Sequence, residues 1–153
     1  MLGRLLTDAT IRSTLFIWNG AITPERLDAW ALANRWRLPD DLRAFWVATG
    51  GGEMFESETM LGPFVDAVKG NAAHLTETDV VGPNQRYHGA GLDEHLLVFH
   101  EGLGVTCCDL RMGRYHLIED RPPFQIRESY PNFADWYDGL IRAEYAARYG
   151  LPD

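Results

Sequence analysis

Residues 38–53 read LPDDLRAFWVATGGGE, and this stretch constrains the fold more than any other. Pro39 with Asp40 and Asp41 opens a helix, because proline suits the first turn and carboxylates offset the positive helix end. Leu42, Phe45 and Trp46 then fall three and four apart and make one apolar face. Gly50, Gly51 and Gly52 shut the helix off, since residues without Cβ admit left-handed backbone and close approach of another chain segment. The pattern predicts a helix over 40–49 followed at once by a strand. Asp40 and Asp41 have a structural role there and are left out of any site. The triplet follows a helix instead of opening one and lacks GxGxxG or GK[ST] spacing, so it reads as a stop and not a phosphate loop.

Upstream, residues 7–18 carry Ile11, Leu15 and Trp18 at helical spacing before Asn19-Gly20 turns the chain. Thr23, Pro24 and Glu25 give a second helix start, with Leu27, Trp30 and Ala31 as its inward face, reaching Trp36 and Leu38. After Glu53 the period changes. Residues 54–64 read as one or two short strands around Gly62-Pro63, residues 65–75 as a short helix, and residues 76–93 as a long loop rich in Gly, Asp, Asn and Pro. Strands over 96–99, 105–110, 115–118 and 124–127 alternate with the turns EGLG, RMGR and EDRPP. Connections this short require an antiparallel meander, because parallel neighbours need crossovers of a dozen or more residues. Asn132 caps a last helix with Phe133, Trp136, Leu140 and Tyr145 inward, ended by Gly150 and Pro152. Helices, then a meander, then a helix make an α+β fold with an antiparallel or mixed sheet, as one domain over 1–153.

The 153 residues carry a net charge of −8, which repels phosphate backbones and excludes nucleic acid as the expected partner. The same field attracts a basic protein surface. Cys107 and Cys108 are the only cysteines, and neighbours on a strand point apart, so no disulfide framework is expected and a reducing cytoplasm fits. Asp8 and Arg12 interrupt the apolar residues near the N-terminus, and neither a membrane span nor a signal peptide is expected.

Five histidines invite a metal site, but no HExxH or CxxC spacing exists, and His88, His95 and His116 would have to be gathered by the sheet. No metal or cofactor is expected. Cys107 with His100 or His116 as base is a conceivable nucleophile, although Asp109 opposes a thiolate and burial as a small apolar residue is the expected role.

Carboxylates are the remaining signal. Over residues 39–80 eight acids face only Arg43 and Lys69. Paired carboxylates can serve a glycosidase when a cleft sets their pKa values apart. Glu53, Glu56 and Glu58 follow the glycine triplet with no helix-start role, and are expected to form a solvated acidic ridge for a partner. Asp93, Glu94 and Glu101 are candidates to extend it.

Three stretches, LPDDLRAFWVATGGG, LLVFHEGLG followed by CCDL, and NFADW, together resemble the SUKH superfamily of cell-wall-assembly-regulator-like domains over residues 24–140. In relatives a leucine-proline helix ends in an asparagine-glycine or glycine-glycine turn, and Thr49 here stands where asparagine is common. NFADW resembles the serine-phenylalanine segment that opens their last helix, with Asn132 keeping the cap. The resemblance implies a sheet with helices packed around it and no cofactor. It also implies, for a bacterial member, an immunity protein that neutralises a cognate polymorphic toxin, often a nuclease, by stoichiometric binding. No enzymatic activity is expected on this reading. A general interaction module of the same superfamily is the second reading, and a carboxylate- or Cys-dependent enzyme the third.

Overall fold

A computed structural model describes residues 1–64 and 79–153. Among these residues seven strands form one sheet in chain order, and every neighbouring pair is antiparallel. They are β1 (Phe16–Trp18), β2 (Gly52–Met54), β3 (Glu58–Met60), β4 (Leu96–Glu101), β5 (Val105–Asp109), β6 (Tyr115–Ile118) and β7 (Ile126–Tyr130). The helices are α1 (Leu5–Ile11), α2 (Pro24–Ala33), α3 (Asp40–Thr49) and α4 (Val81–Gly89), then a run made of α5 (Phe133–Trp136), a π-helical stretch (Tyr137–Arg142) and α6 (Ala143–Tyr149). The α+β class and the meander are as the sequence predicts.

The glycine triplet explains the left half of the sheet. Gly50 has φ +73 and ends α3, and a Cβ there would lie 2.2 Å from the Gly20 carbonyl oxygen. At Gly52, φ is +144 and a Cβ would lie 2.1 Å from the Ile17 oxygen. Gly50 and Gly52 therefore let the 17–20 backbone lie directly against the end of α3, while Gly51 makes room for Met60 and Gly62 on the other side. Thr49 assists, since its hydroxyl donates to Phe45 O and accepts from Gly51 N.

Four expectations need correction. Residues 7–18 are not one helix: α1 stops at Ile11, and Phe16–Trp18 form an edge strand whose Phe16 and Trp18 pack among aromatic rings while Ile17 faces out. Alternation of aromatic and β-branched residues outweighs helical spacing there because Gly52–Met54 supply a pairing partner. Within the stretch expected as loop, α4 forms. Its first-turn Pro83 lacks an N–H the helix would not use, and Asn84 locks it to the sheet through Val98 N and O at 2.8 Å each. Strand β7 starts at Ile126, two residues later than expected. In the last helix, inward positions include Tyr137, Ile141 and Arg142, while Leu140 is half-buried. The wider π turn shifts the inward stripe, and Arg142 uses it to meet buried Asp8 at 2.6 Å, with the Tyr137 hydroxyl donating to the same carboxylate. The helix expected over 65–75 lies outside the described residues.

One face of the sheet carries the core against α3, α5 and α6. Its centre is Phe99, Tyr115, Phe133 and Trp136, mostly at edge-to-face or tilted angles with ring centroids 5.0–6.1 Å apart. The register shifts between Val98 and His100, so Phe99 is an extra residue, and both Phe99 and His100 reach the Trp136 ring. Asn132 caps α5 by accepting from Asp135 N at 2.8 Å, as expected.

Candidate partner-binding surface

The structure divides the six candidate acids into three groups. Glu58 is not on a ridge. It is 1% exposed, and its carboxylate accepts from Leu103 N at 2.9 Å and from the Tyr145 hydroxyl at 2.6 Å, with His100 Nε2 at 2.8 Å. His100 Nδ1 continues to Thr106 Oγ1, which also accepts from Trp136 Nε1. Burial pushes the Glu58 carboxyl up, but the bonds from His100, Tyr145 and Leu103 outweigh it and leave it below its ordinary pKa. Glu58 joins β3, β4, the β4–β5 turn and α6, so it holds the fold and cannot reach a partner. The expectation fails because strand alternation turns Met54 and Glu58, paired across β2 and β3, to one and the same inward face.

Glu53 and Glu101 do share a surface. Ile17, Glu53, Thr59 and Glu101 are register partners in turn across β1 to β4, on the face away from the aromatic core. Glu53 and Glu101 are half-buried, Ile17 is 61% exposed, and the Tyr87 hydroxyl from α4 donates to Glu101. Glu56 stands exposed in the β2–β3 turn at φ +68.

Asp93 and Glu94 lie before β4, seven residues or more from Glu101, on the order of 20 Å along an extended strand. Both are exposed, but they belong to the opposite end of the sheet and do not extend the Glu53–Glu101 surface.

Other carboxylates take their place. In a meander alternate turns share an end, so the β2–β3, β4–β5 and β6–β7 connections all emerge where Glu101 ends β4. Between the last two lies an open cleft of about 970 Å³ lined by Glu101, Glu119, Asp120 and Glu128, with Arg121 and Arg127. Arg121 pairs with Asp120 at 3.3 Å. Leu103 at the turn tip, 38% exposed, and the exposed Ile126 of β7 give this end apolar contact area. Glu119 and Asp120 escape a reading of the sequence because EDRPP looks locally like a turn and nothing more, and Glu128 because it lies one residue past the strand expected over 124–127. The meander order, itself legible in the sequence, is the signal that its acids and Glu101 would meet.

Against known proteins, no family model matches the chain, and no curated protein matches it.

The remaining candidate chemistry is geometrically placed as follows. Cys107 and Cys108 are free and buried, and burial together with Asp109 pushes the Cys107 thiol up to about 12, which keeps it protonated. Its sulfur faces the His116 carbonyl at 3.7 Å, and His100 is engaged by Glu58 and Thr106. Among the described residues no three of the His, Cys, Asp and Glu side chains stand close enough to hold a metal ion, and every buried side-chain nitrogen or oxygen has a partner. No helix among them is long and apolar enough to cross a membrane.

Proposed function

We propose that this chain is a stoichiometric protein-binding domain of SUKH type, an immunity protein that occupies the basic surface of a cognate toxin domain. The observation that carries the reading is the gathering of Glu56, Glu101, Glu119, Asp120 and Glu128 around three turns at one sheet end. Carboxylates set on turns of a rigid meander present charge to an arriving partner at little ordering cost. Arg and Lys of the toxin pair with them, and the long-range attraction of a −8 chain raises the encounter rate. Leu103 and Ile126 supply the desolvated apolar contacts that carry much of the affinity in such interfaces. Resemblance over residues 24–140 supplies the toxin as the class of partner.

The test is co-expression with the C-terminal domain of the protein encoded beside this chain. Restored growth together with a co-purifying one-to-one complex supports the reading. Continued growth arrest with no complex removes it.

A further inference from the structure

At the opposite end of the sheet, the linker between α2 and α3, the end of α4 and the β5–β6 turn enclose an open cleft of about 1020 Å³. Arg35, Arg37 and Arg111 reach it, against the carboxylates of Asp40 and Glu94. Asp109 beside Arg111 brings the local count to three cations and three carboxylates, against 14 Lys and Arg and 22 acids in the whole chain.

The arginines are set there by the backbone and by neighbours. Helix α2 ends with Arg35 N donating to Leu32 O and Trp36 N donating to Ala31 O, a Schellman ending. The left-handed residue of that motif is usually glycine, yet it is Arg35 at φ +60. Such a φ is uncommon for a residue that carries a Cβ. Neither Arg35 nor Arg37 has a side-chain hydrogen bond or ion pair with another described residue. Arg111 is positioned differently. Its Nη2 lies 2.8 Å from His95 Nε2, and since a guanidinium only donates, that nitrogen accepts. Buried Asp109 accepts from Arg111 N and Met112 N and stands 4.0 Å from the Arg111 guanidinium. Half-buried Trp36 and Met112, 70% exposed, supply apolar surface beside the charges.

We propose that this cleft holds an acidic peptide segment of a partner protein, its carboxylates paired with Arg35, Arg37 and Arg111 and a neighbouring apolar side chain against Trp36 and Met112. A carboxylate meets a guanidinium through two parallel bonds, which suits donors fixed in advance. A peptide spaces its charges along neutral backbone and so passes between Asp40 and Glu94. A nucleic-acid strand, charged at every unit, meets both carboxylates and the −8 of the chain. The proposal does not depend on the immunity reading, since it concerns the other end of the molecule.

Fluorescence anisotropy with a labelled peptide of acidic pairs alternating with leucine tests it, with a lysine-for-acid peptide, inorganic phosphate and a single-stranded oligonucleotide in parallel. The acidic peptide is expected to bind saturably at low salt. Arg37→Gln and Arg111→Gln should each weaken it about threefold, and the double variant about tenfold, the scale of exposed ion pairs. Arg35→Gly should weaken it similarly while raising the melting temperature, a combination that loss of folding cannot produce. Arg121→Gln, at the other end, should change nothing. Absence of saturable binding overturns the proposal. So does equal binding by the arginine variants, equal loss in Arg121→Gln, or preference for phosphate or the oligonucleotide.

Discussion

Glu58 sits 1% exposed between His100, Tyr145 and the Leu103 amide, and its charge is a property of the fold. Its pKa is lowered on folding, so near and below the ordinary carboxylate value the unfolded chain binds the extra proton. The stabilisation is complete above the unfolded pKa and is lost as pH falls through the folded one. Glu58→Gln should therefore cost about 2 kcal/mol at neutral pH, by leaving buried donors poorly matched, and should flatten the loss of stability below roughly pH 5. Urea unfolding across that pH range checks both, and an unchanged acid slope contradicts the account. Gly52 gives a purely steric counterpart. Its φ is +144, and an added methyl group would sit 2.1 Å from the Ile17 oxygen. Gly52→Ala should lose roughly 3 kcal/mol, read as a lowered urea midpoint. Stability within a few tenths of the parent would mean that β1 does not need this approach.

Between elements, Asp41 is the clearest joint. Its Oδ2 accepts from Phe133 N at 2.9 Å, at the start of α5, and its Oδ1 accepts from the buried Tyr115 hydroxyl on β6. One carboxylate in the first turn of α3 thus serves a second helix and a strand, and burial with Asp41 pushes the tyrosine pKa up. Asp41→Ala should cost about 2 kcal/mol with an unchanged denaturant slope. A loss confined to a few tenths would show that the joint is incidental. The elements legible in the sequence are those whose signals are local: the Thr23-capped start of α2, the proline-and-acid start of α3, the glycine stop, the meander turns and the Asn132 cap. The others take their form from distant partners. Phe16–Trp18 become a strand through Gly52–Met54, and α4 forms on Asn84 bonds to Val98. The π stretch opens around the Arg142 bond to Asp8, across the length of the chain. The candidate site is half legible for the same reason. Of the expected acids Glu53, Glu56 and Glu101 lie in one half of the sheet, whereas the burial of Glu58 depends on His100, and the contribution of Glu119 and Asp120 depends on which end the turns emerge from.

For the whole molecule, the charge is not spread evenly over a neutral scaffold. Carboxylates gather at the end of the sheet holding the β2–β3, β4–β5 and β6–β7 turns, and arginines line the cleft at the other. A body with two such ends suits occupation of other macromolecules, with affinity set by apolar anchors and encounter set by field. Because the carboxylates at the turns are exposed or lie at the cleft rim, reversing them should act on association and leave folding alone. The most direct measurement is the association rate with the toxin domain proposed as the partner, by stopped flow, for the parent and for the Glu56→Lys, Glu119→Lys, Asp120→Lys triple variant. At low salt the variant should associate at least about tenfold more slowly at an unchanged melting temperature, with the gap closing as salt is raised. Equal rates at low salt would contradict the account.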